Sequence, residues 1–78
     1  MLSSQVVKEG LLQGKKFRSQ PKEHMGIITI YEVYRLRGEY VMDTFENGIL
    51  KDTDDEFDDF DELYSDMSAV SKEWKATK

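Results

Sequence analysis

The sequence predicts an α+β fold in which a small antiparallel sheet packs against a C-terminal helix. Three observations indicate this class: a central run of β-branched and aromatic residues, an Asn-Gly turn signal within it, and an apolar stripe of helical spacing near the C-terminus. With 78 residues, the chain has room for one domain with one core, residues 1–78. A sheet and a helix that each have one apolar side bury those sides against each other, so we expect two layers.

The β-rich segment covers residues 26–51 and predicts a meander of about three strands. A turn at residues 37–39 separates the first two strands. Asn47-Gly48 then begins the second hairpin, because a type I′ turn needs positive φ at both central residues.

The pairing of the first two strands depends on the length of the turn between them. A two-residue turn at Arg37-Gly38 would place Glu32 opposite Asp43, and two like charges in that position destabilise a sheet. We therefore predict a three-residue turn. The predicted pairs are Tyr31 with Phe45, Val33 with Asp43 and Arg35 with Val41, and the predicted buried face carries Ile30, Tyr34, Leu36, Tyr40 and Met42.

The C-terminal third predicts a helix over residues 54–75. Thr53 and Glu56 match a capping box, in which a hydroxyl and a carboxylate satisfy the first backbone amides. Apolar residues then recur at three- and four-residue spacing: Phe57, Phe60, Leu63, Tyr64, Met67, Val70 and Trp74. Because Trp74 is near the end of this helix, we expect it to be exposed or packed in a dimer interface.

Residues 4–13 fit two local structures, of which a short helix is favoured. Val7 and Leu11 are four residues apart, and a serine precedes them as a possible cap. Gly10 would cost such a helix about 1 kcal/mol relative to alanine. The alternative is a pair of short strands that turn at Glu9-Gly10.

Residues 14–25 are polar and basic and predict a loop, with Phe17 as its only large apolar anchor. The charge of the whole chain is strongly divided. Residues 1–37 carry seven Lys or Arg against three acids, and residues 38–78 carry four lysines against thirteen acids, for a net charge of −5. The two halves of the chain therefore suit different partners.

The acidic segment, residues 54–66, is the main candidate for a binding surface. On one helix, its carboxylates would approach the charge density of duplex DNA, which carries one charge per about 1.7 Å of axis. The hypothesis is an acidic helix face that binds a basic, nucleic-acid-binding protein surface; the alternative is a solvated face that serves solubility. The candidate residues are Asp54, Asp55, Asp58, Asp59, Asp61, Glu62 and Asp66, with Glu56 between them.

A second hypothesis is a nucleic-acid-binding module that uses the basic loop and one end of the hairpin. Its candidate contacts are Lys15, Lys16, Arg18, Lys22, Arg35 and Arg37. Repulsion between a polyanion and the acidic half of the chain would cancel much of the attraction, so direct nucleic-acid binding is the weaker interpretation. A third hypothesis is a structural homodimer that pairs through an open sheet edge or through the Trp74 end.

The residues that carry common enzyme chemistry are few. There is no cysteine, which excludes disulfides, thiolate metal sites and a thiol nucleophile. His24 is the only histidine and lies in the predicted loop, where nothing orients it as a base. The acids from Asp52 onward resemble the start of an EF-hand loop, but Phe57 and Leu63 occupy its glycine and bidentate glutamate positions. We therefore expect no enzyme activity, no cofactor and no metal.

The expected function is a non-catalytic interaction module, such as a small regulator or inhibitor. No secretion signal or apolar run of membrane-spanning length is apparent, so we expect a cytoplasmic protein with no membrane partner. Small acidic α+β proteins are common in bacteria and their phages, and a bacterial or phage origin is compatible with this sequence, although no motif in it identifies one.

Overall fold

The computed structural model describes residues 1–77 and confirms the α+β class. Two helices and six strands form the described part, and all of the strand pairs are antiparallel. The prediction of about three strands was therefore too low. The elements are α1 (Ser4–Leu12), β1 (Lys16–Ser19), β2 (Lys22–His24), β3 (Ile27–Leu36), β4 (Glu39–Glu46), β5 (Ile49–Asp54), α2 (Phe60–Val70) and β6 (Trp74–Thr77).

The sheet has the strand order β5-β4-β3-β1-β6, and β2 pairs with β3 beyond the end of β1. The last described strand thus lies beside the first. Both helices contribute to one core, which meets one face of the sheet. This core contains Val7, Leu11, Phe17, Val33, Met42, Phe60, Leu63, Met67 and Trp74.

The opposite face of the sheet is not part of that core. We call it the open face; on the central strand it carries Ile28, Ile30, Glu32 and Tyr34, which alternate with the core-facing Tyr31 and Val33. The predicted buried face was wrong in part. Tyr40 and Met42 face the helices, whereas the other three predicted members, Ile30, Tyr34 and Leu36, lie on the open face.

The predicted register between the first two long strands was also wrong. Glu32 is paired with Asp43, and Val33 with Met42. The turn has two residues, Arg37 and Gly38, with φ of 52° and 82°, as a type I′ turn requires. The same geometry recurs at the Asn47-Gly48 turn, as predicted from the sequence.

Neighbouring side chains make the Glu32–Asp43 pair tolerable. Arg18 Nε lies 3.1 Å from a carboxylate oxygen of Glu32, and Thr53 Oγ1 donates a hydrogen bond of 2.8 Å to Asp43. Both partners come from strands outside the hairpin. The prediction from like-charge repulsion gave the wrong register because it considered only β3 and β4 and left out the contacts from β1 and β5.

Most of the predicted basic loop is in fact strand. In β1 the buried Phe17 and Ser19 alternate with exposed neighbours, which confirms Phe17 as an anchor. A two-residue turn at Met25-Gly26, again with two positive φ angles, joins β2 to β3. β1 is only four residues long and pairs with β6 from the far end of the chain, so no local pattern marks it.

The N-terminal helix is confirmed, with Ser3 as its N-cap. The Ser3 hydroxyl accepts a hydrogen bond of 3.2 Å from the amide of Val6. Val7 and Leu11, the two residues that predicted the helix, are both fully buried in the core. The alternative of two short strands is therefore wrong.

The C-terminal helix is shorter than predicted at both ends. Thr53 belongs to β5, and the N-cap of α2 is Asp59, whose carboxylate accepts from the amide of Glu62 at 2.9 Å. The chain becomes extended at Ser71, which ends the helix. Trp74 is therefore on a strand, where it is 5% exposed. Its indole donates to the carbonyl oxygens of Met67 and Ser71 within the same chain, so its predicted exposure is wrong.

Candidate functional site

The acidic segment does not form one helix face. Asp54 ends β5, Asp55 to Asp58 lie in the connection, Asp59 caps α2, and the other acids lie on α2 itself. All of these acids except the half-buried Asp54 are exposed. The segment is thus a curved acidic surface around the start of α2, because helix formation begins six residues later than predicted.

Three carboxylates of the segment bind its own backbone. Asp54 accepts from the amide of Glu56 at 3.0 Å, and Asp59 accepts from that of Glu62. Glu62 accepts in turn at 3.3 Å from the amide of Asp58, the residue before the N-cap, so the arrangement resembles a capping box that lies six residues after the predicted one. These three acids have local structural roles, whereas Asp58, Asp61 and Asp66 present exposed carboxylates.

The acidic segment has no cationic neighbour at ion-pair distance within residues 1–77. The salt bridge in this part of the chain is between Arg18 and Glu32. The basic residues therefore do not neutralise the segment inside the described molecule. Its negative charge faces solvent.

The predicted basic contacts lie on several elements of the fold. Lys16 and Arg18 are exposed residues of β1, with Lys16 Nζ 4.8 Å from the ring centroid of Tyr34. The Lys22 ammonium donates to the carbonyl of Val70 at 2.6 Å. Lys15 precedes β1, Arg35 lies near the end of β3, and Arg37 lies in the following turn. The structure does not bring these six residues together in one loop.

A polar network on the open face was not predicted from the sequence. Its centre is Asp43, a carboxylate only 8% exposed that accepts from Thr53. Burial and the adjacent charge of Asp43 raise the pKa of the Tyr34 hydroxyl, and the carboxylates of Glu32 and Asp55 add to the effect. The Tyr34 hydroxyl therefore loses its proton at a higher pH than an ordinary tyrosine does. The correct register would have revealed this network, because it puts Glu32, Tyr34 and Asp43 on the same face of the sheet.

A groove of about 790 Å³ borders β6 and the adjoining end of β1. Its lining includes Arg18, Ile30 and Lys75 from the open face, together with Pro21 and Trp74. The carboxylate of Glu73 also lines it, so the groove combines apolar side chains with charges of both signs.

Metal-binding geometry is not found among residues 1–77, where no three His, Asp or Glu side chains are grouped closely enough to hold an ion. His24 lies exposed on β2. In the same part of the chain, the helices are too short and too polar to cross a bilayer. Comparisons with protein-family models, with curated proteins and with solved structures find no match to this chain.

Proposed function

We propose that the protein is a non-catalytic interaction module that binds a basic protein surface through the acidic segment. One observation carries the proposal: within residues 1–77, no Lys or Arg forms an ion pair with the carboxylates of this segment. Uncompensated charge of one sign attracts an oppositely charged surface and raises the rate of encounter.

The shape of the segment indicates the kind of partner. Its exposed carboxylates project from a loop and from the first turns of α2, so they cover a rounded surface. A basic groove that otherwise holds nucleic acid offers positive charge over a comparable concave area. We therefore propose a regulator or inhibitor that competes with nucleic acid for such a groove. A cytoplasmic location is part of this proposal.

The test neutralises carboxylates that have no capping role. Asp58→Asn, Asp61→Asn and Asp66→Asn remove three charges and leave the hydrogen bonds of Asp59 and Glu62 in place. The matched control is Glu9→Gln, Glu23→Gln and Glu39→Gln, which removes the same charge from exposed positions elsewhere. Equal thermal stability of the two triple variants would show that differences in binding are local.

The measurement is affinity capture from lysate, followed by elution with a short DNA duplex. We expect the wild type and the control to retain basic proteins that the duplex displaces, and the Asp58/Asp61/Asp66 variant to retain less than a tenth as much. Equal retention by both triple variants would contradict the proposal. Direct binding of the duplex to the protein itself would favour the nucleic-acid-binding alternative.

A further inference from the structure

The turn that joins β4 to β5 contains the only asparagine of the sequence, Asn47, and a glycine follows it directly. Both residues are exposed, and both have positive φ, 50° at Asn47 and 80° at Gly48. A Cβ atom built on Gly48 would have no heavy atom of residues 1–77 within 4 Å, apart from its chain neighbours. The peptide bond between these two residues is therefore open to water.

An asparagine followed by a glycine can react within the chain. The main-chain nitrogen of Gly48 attacks Cγ of Asn47 and loses its proton to hydroxide or water. The side-chain nitrogen takes up a proton and leaves as ammonia, and a five-membered cyclic imide remains. Glycine favours the attack because it places no side chain beside the attacking nitrogen. Since both groups belong to one chain, a suitable conformation gives them a high effective concentration.

The folded turn does not present that conformation. A φ of 50° puts Asn47 in the left-handed region, where ψ is about 47°. This ψ turns the Gly48 nitrogen nearly opposite to the Cβ of Asn47, whereas ring closure needs both on one side of the Cα–C bond. The Asn47 side chain is also held, because its Oδ1 accepts a hydrogen bond of 2.9 Å from the amide of Ile28. The turn must therefore open before the ring can close.

The hairpin of β4 and β5 has the features of an element that opens locally. β5 lies at one end of the strand order, and among the described strands it pairs with β4 alone. Five of its six residues are exposed, and its pairing register shifts between Thr44 and Phe45. Exposed backbone hydrogen bonds with few buried apolar contacts open at a lower free energy than the core does.

From these observations we propose that Asn47 is a site of deamidation, and that opening of the β4–β5 hairpin controls its rate. Water then hydrolyses the imide at one of its two C–N bonds. Cleavage between Cγ and the Gly48 nitrogen gives aspartate. Cleavage between the main-chain carbonyl carbon and that nitrogen gives isoaspartate, in which the chain continues through the side chain. Either route consumes water, releases ammonia and leaves a carboxylate in place of a neutral amide.

The two products differ in how they fit the turn. Aspartate tolerates positive φ, and its carboxylate can still accept the hydrogen bond from Ile28. Isoaspartate adds one atom to the main chain, so a two-residue turn no longer sets Glu46 opposite Ile49. Because β5 ends at Asp54, this product also loosens the strand that leads into the acidic segment. The proposal itself does not depend on what the acidic segment binds.

The first test compares the folded and the unfolded wild type in one mildly alkaline buffer, without and with guanidinium chloride. Ion-exchange chromatography and mass spectrometry follow the deamidated species, and peptide mapping assigns it to Asn47. We expect conversion in both samples, at a rate about tenfold or more lower in the folded protein. Equal rates would show that the turn does not control the reaction. A folded protein that never converts would also overturn the proposal.

Two variants separate the chemistry from the opening. In denaturant, Gly48→Ala should convert about tenfold more slowly than the wild type, because its methyl group hinders the attacking nitrogen. An unchanged rate would contradict the imide pathway. Val7→Ala lowers the stability of the distant core, where Val7 is fully buried. We expect it to leave the rate of the folded protein unchanged; a rate that rises with the loss of stability would assign the reaction to global unfolding instead.

The products provide the last test. Asn47→Asp is the standard for the aspartate product and has no side-chain amide to lose. We expect one deamidated species to coelute with this variant and to unfold at the denaturant concentration of the fresh wild type. The isoaspartate species should unfold at a lower concentration. Two products of equal stability would contradict the disruption of the turn.

Discussion

Gly10 lies in the middle of α1 at the point where Phe17 packs against the helix. A Cβ atom at this position would lie 2.5 Å from Cζ and 2.8 Å from Cε2 of the Phe17 ring. Both residues are buried, Phe17 with only 1% exposure, so the ring has little space to move. The glycine that weakens the helix by itself thus allows the close approach of helix and sheet.

We expect Gly10→Ala to lower the free energy of unfolding by about 1–3 kcal/mol, despite the better helix propensity of alanine, because overpacking outweighs it. Urea denaturation measures the difference. As a control, Gly10→Ala combined with Phe17→Leu should lose less stability than the two separate losses added together. A gain in stability from Gly10→Ala alone would show that propensity dominates at this site.

Asp43 shows that the surroundings of a residue can reverse an argument from local sequence. Its pairing with Glu32 is unfavourable for an isolated hairpin, yet Thr53 and Arg18 supply a hydroxyl donor and a cation to the two carboxylates. The like-charge rule is sound for two strands. It failed here because four strands contribute to one row of side chains.

At the scale of elements, the sequence offers two capping motifs for the start of α2, and the structure uses the second. Thr53 and Glu56 match the capping box in sequence, and so do Asp59 and Glu62. The pairing of Thr53 with Asp43 in the sheet removes the first possibility and leaves Asp59 as the cap. The sheet, rather than helix propensity, therefore decides where the helix starts.

Asp59→Ala should lower the free energy of unfolding by about 1 kcal/mol, because the amide of Glu62 loses its acceptor. The control is Asp58→Ala, which removes an exposed neighbouring carboxylate. Asp58 takes part in the cap only through its backbone amide, which alanine keeps. Thermal or urea unfolding would measure both. If Asp58→Ala cost as much as Asp59→Ala, the contribution would come from charge near the helix terminus and not from the cap.

At the scale of the whole molecule, the acidic segment adds self-repulsion that a small core must overcome. The chain carries a net charge of −5, and the segment has no ion-pair partner within residues 1–77. Close like charges destabilise a compact state, and added salt screens them. The surface proposed for binding is therefore also a source of instability.

Raising the salt concentration from about 0.1 M to about 1 M shortens the screening length from about 10 Å to about 3 Å. We expect the wild type to gain several tenths of a kcal/mol in unfolding free energy, and the Asp58/Asp61/Asp66→Asn variant to gain clearly less. Urea unfolding in sodium chloride, at a protein concentration low enough to avoid association, makes the comparison. An equal gain in both proteins would assign the salt effect to something other than the acidic segment.

The sequence by itself determined the α+β class, the N-terminal helix, the Asn47-Gly48 hairpin and the role of Phe17. These features depend on interactions between residues close in the chain, or on an apolar periodicity that one element carries alone. The sequence also identified the acidic segment, since charge is a property of composition. Its arrangement in space was not predicted.

Only the tertiary structure decided the strand register, the strands β1, β2 and β6, the ends of α2 and the burial of Trp74. Several of these depend on contacts with other elements of the fold: β6 pairs with β1, and the Glu32–Asp43 pair is stabilised by Arg18 and Thr53. Local propensities are small compared with the free energy of burying a side chain such as Trp74 or completing a sheet. Packing of the core therefore determines which of the locally possible structures forms, and the opposite face of the sheet stays outside that core.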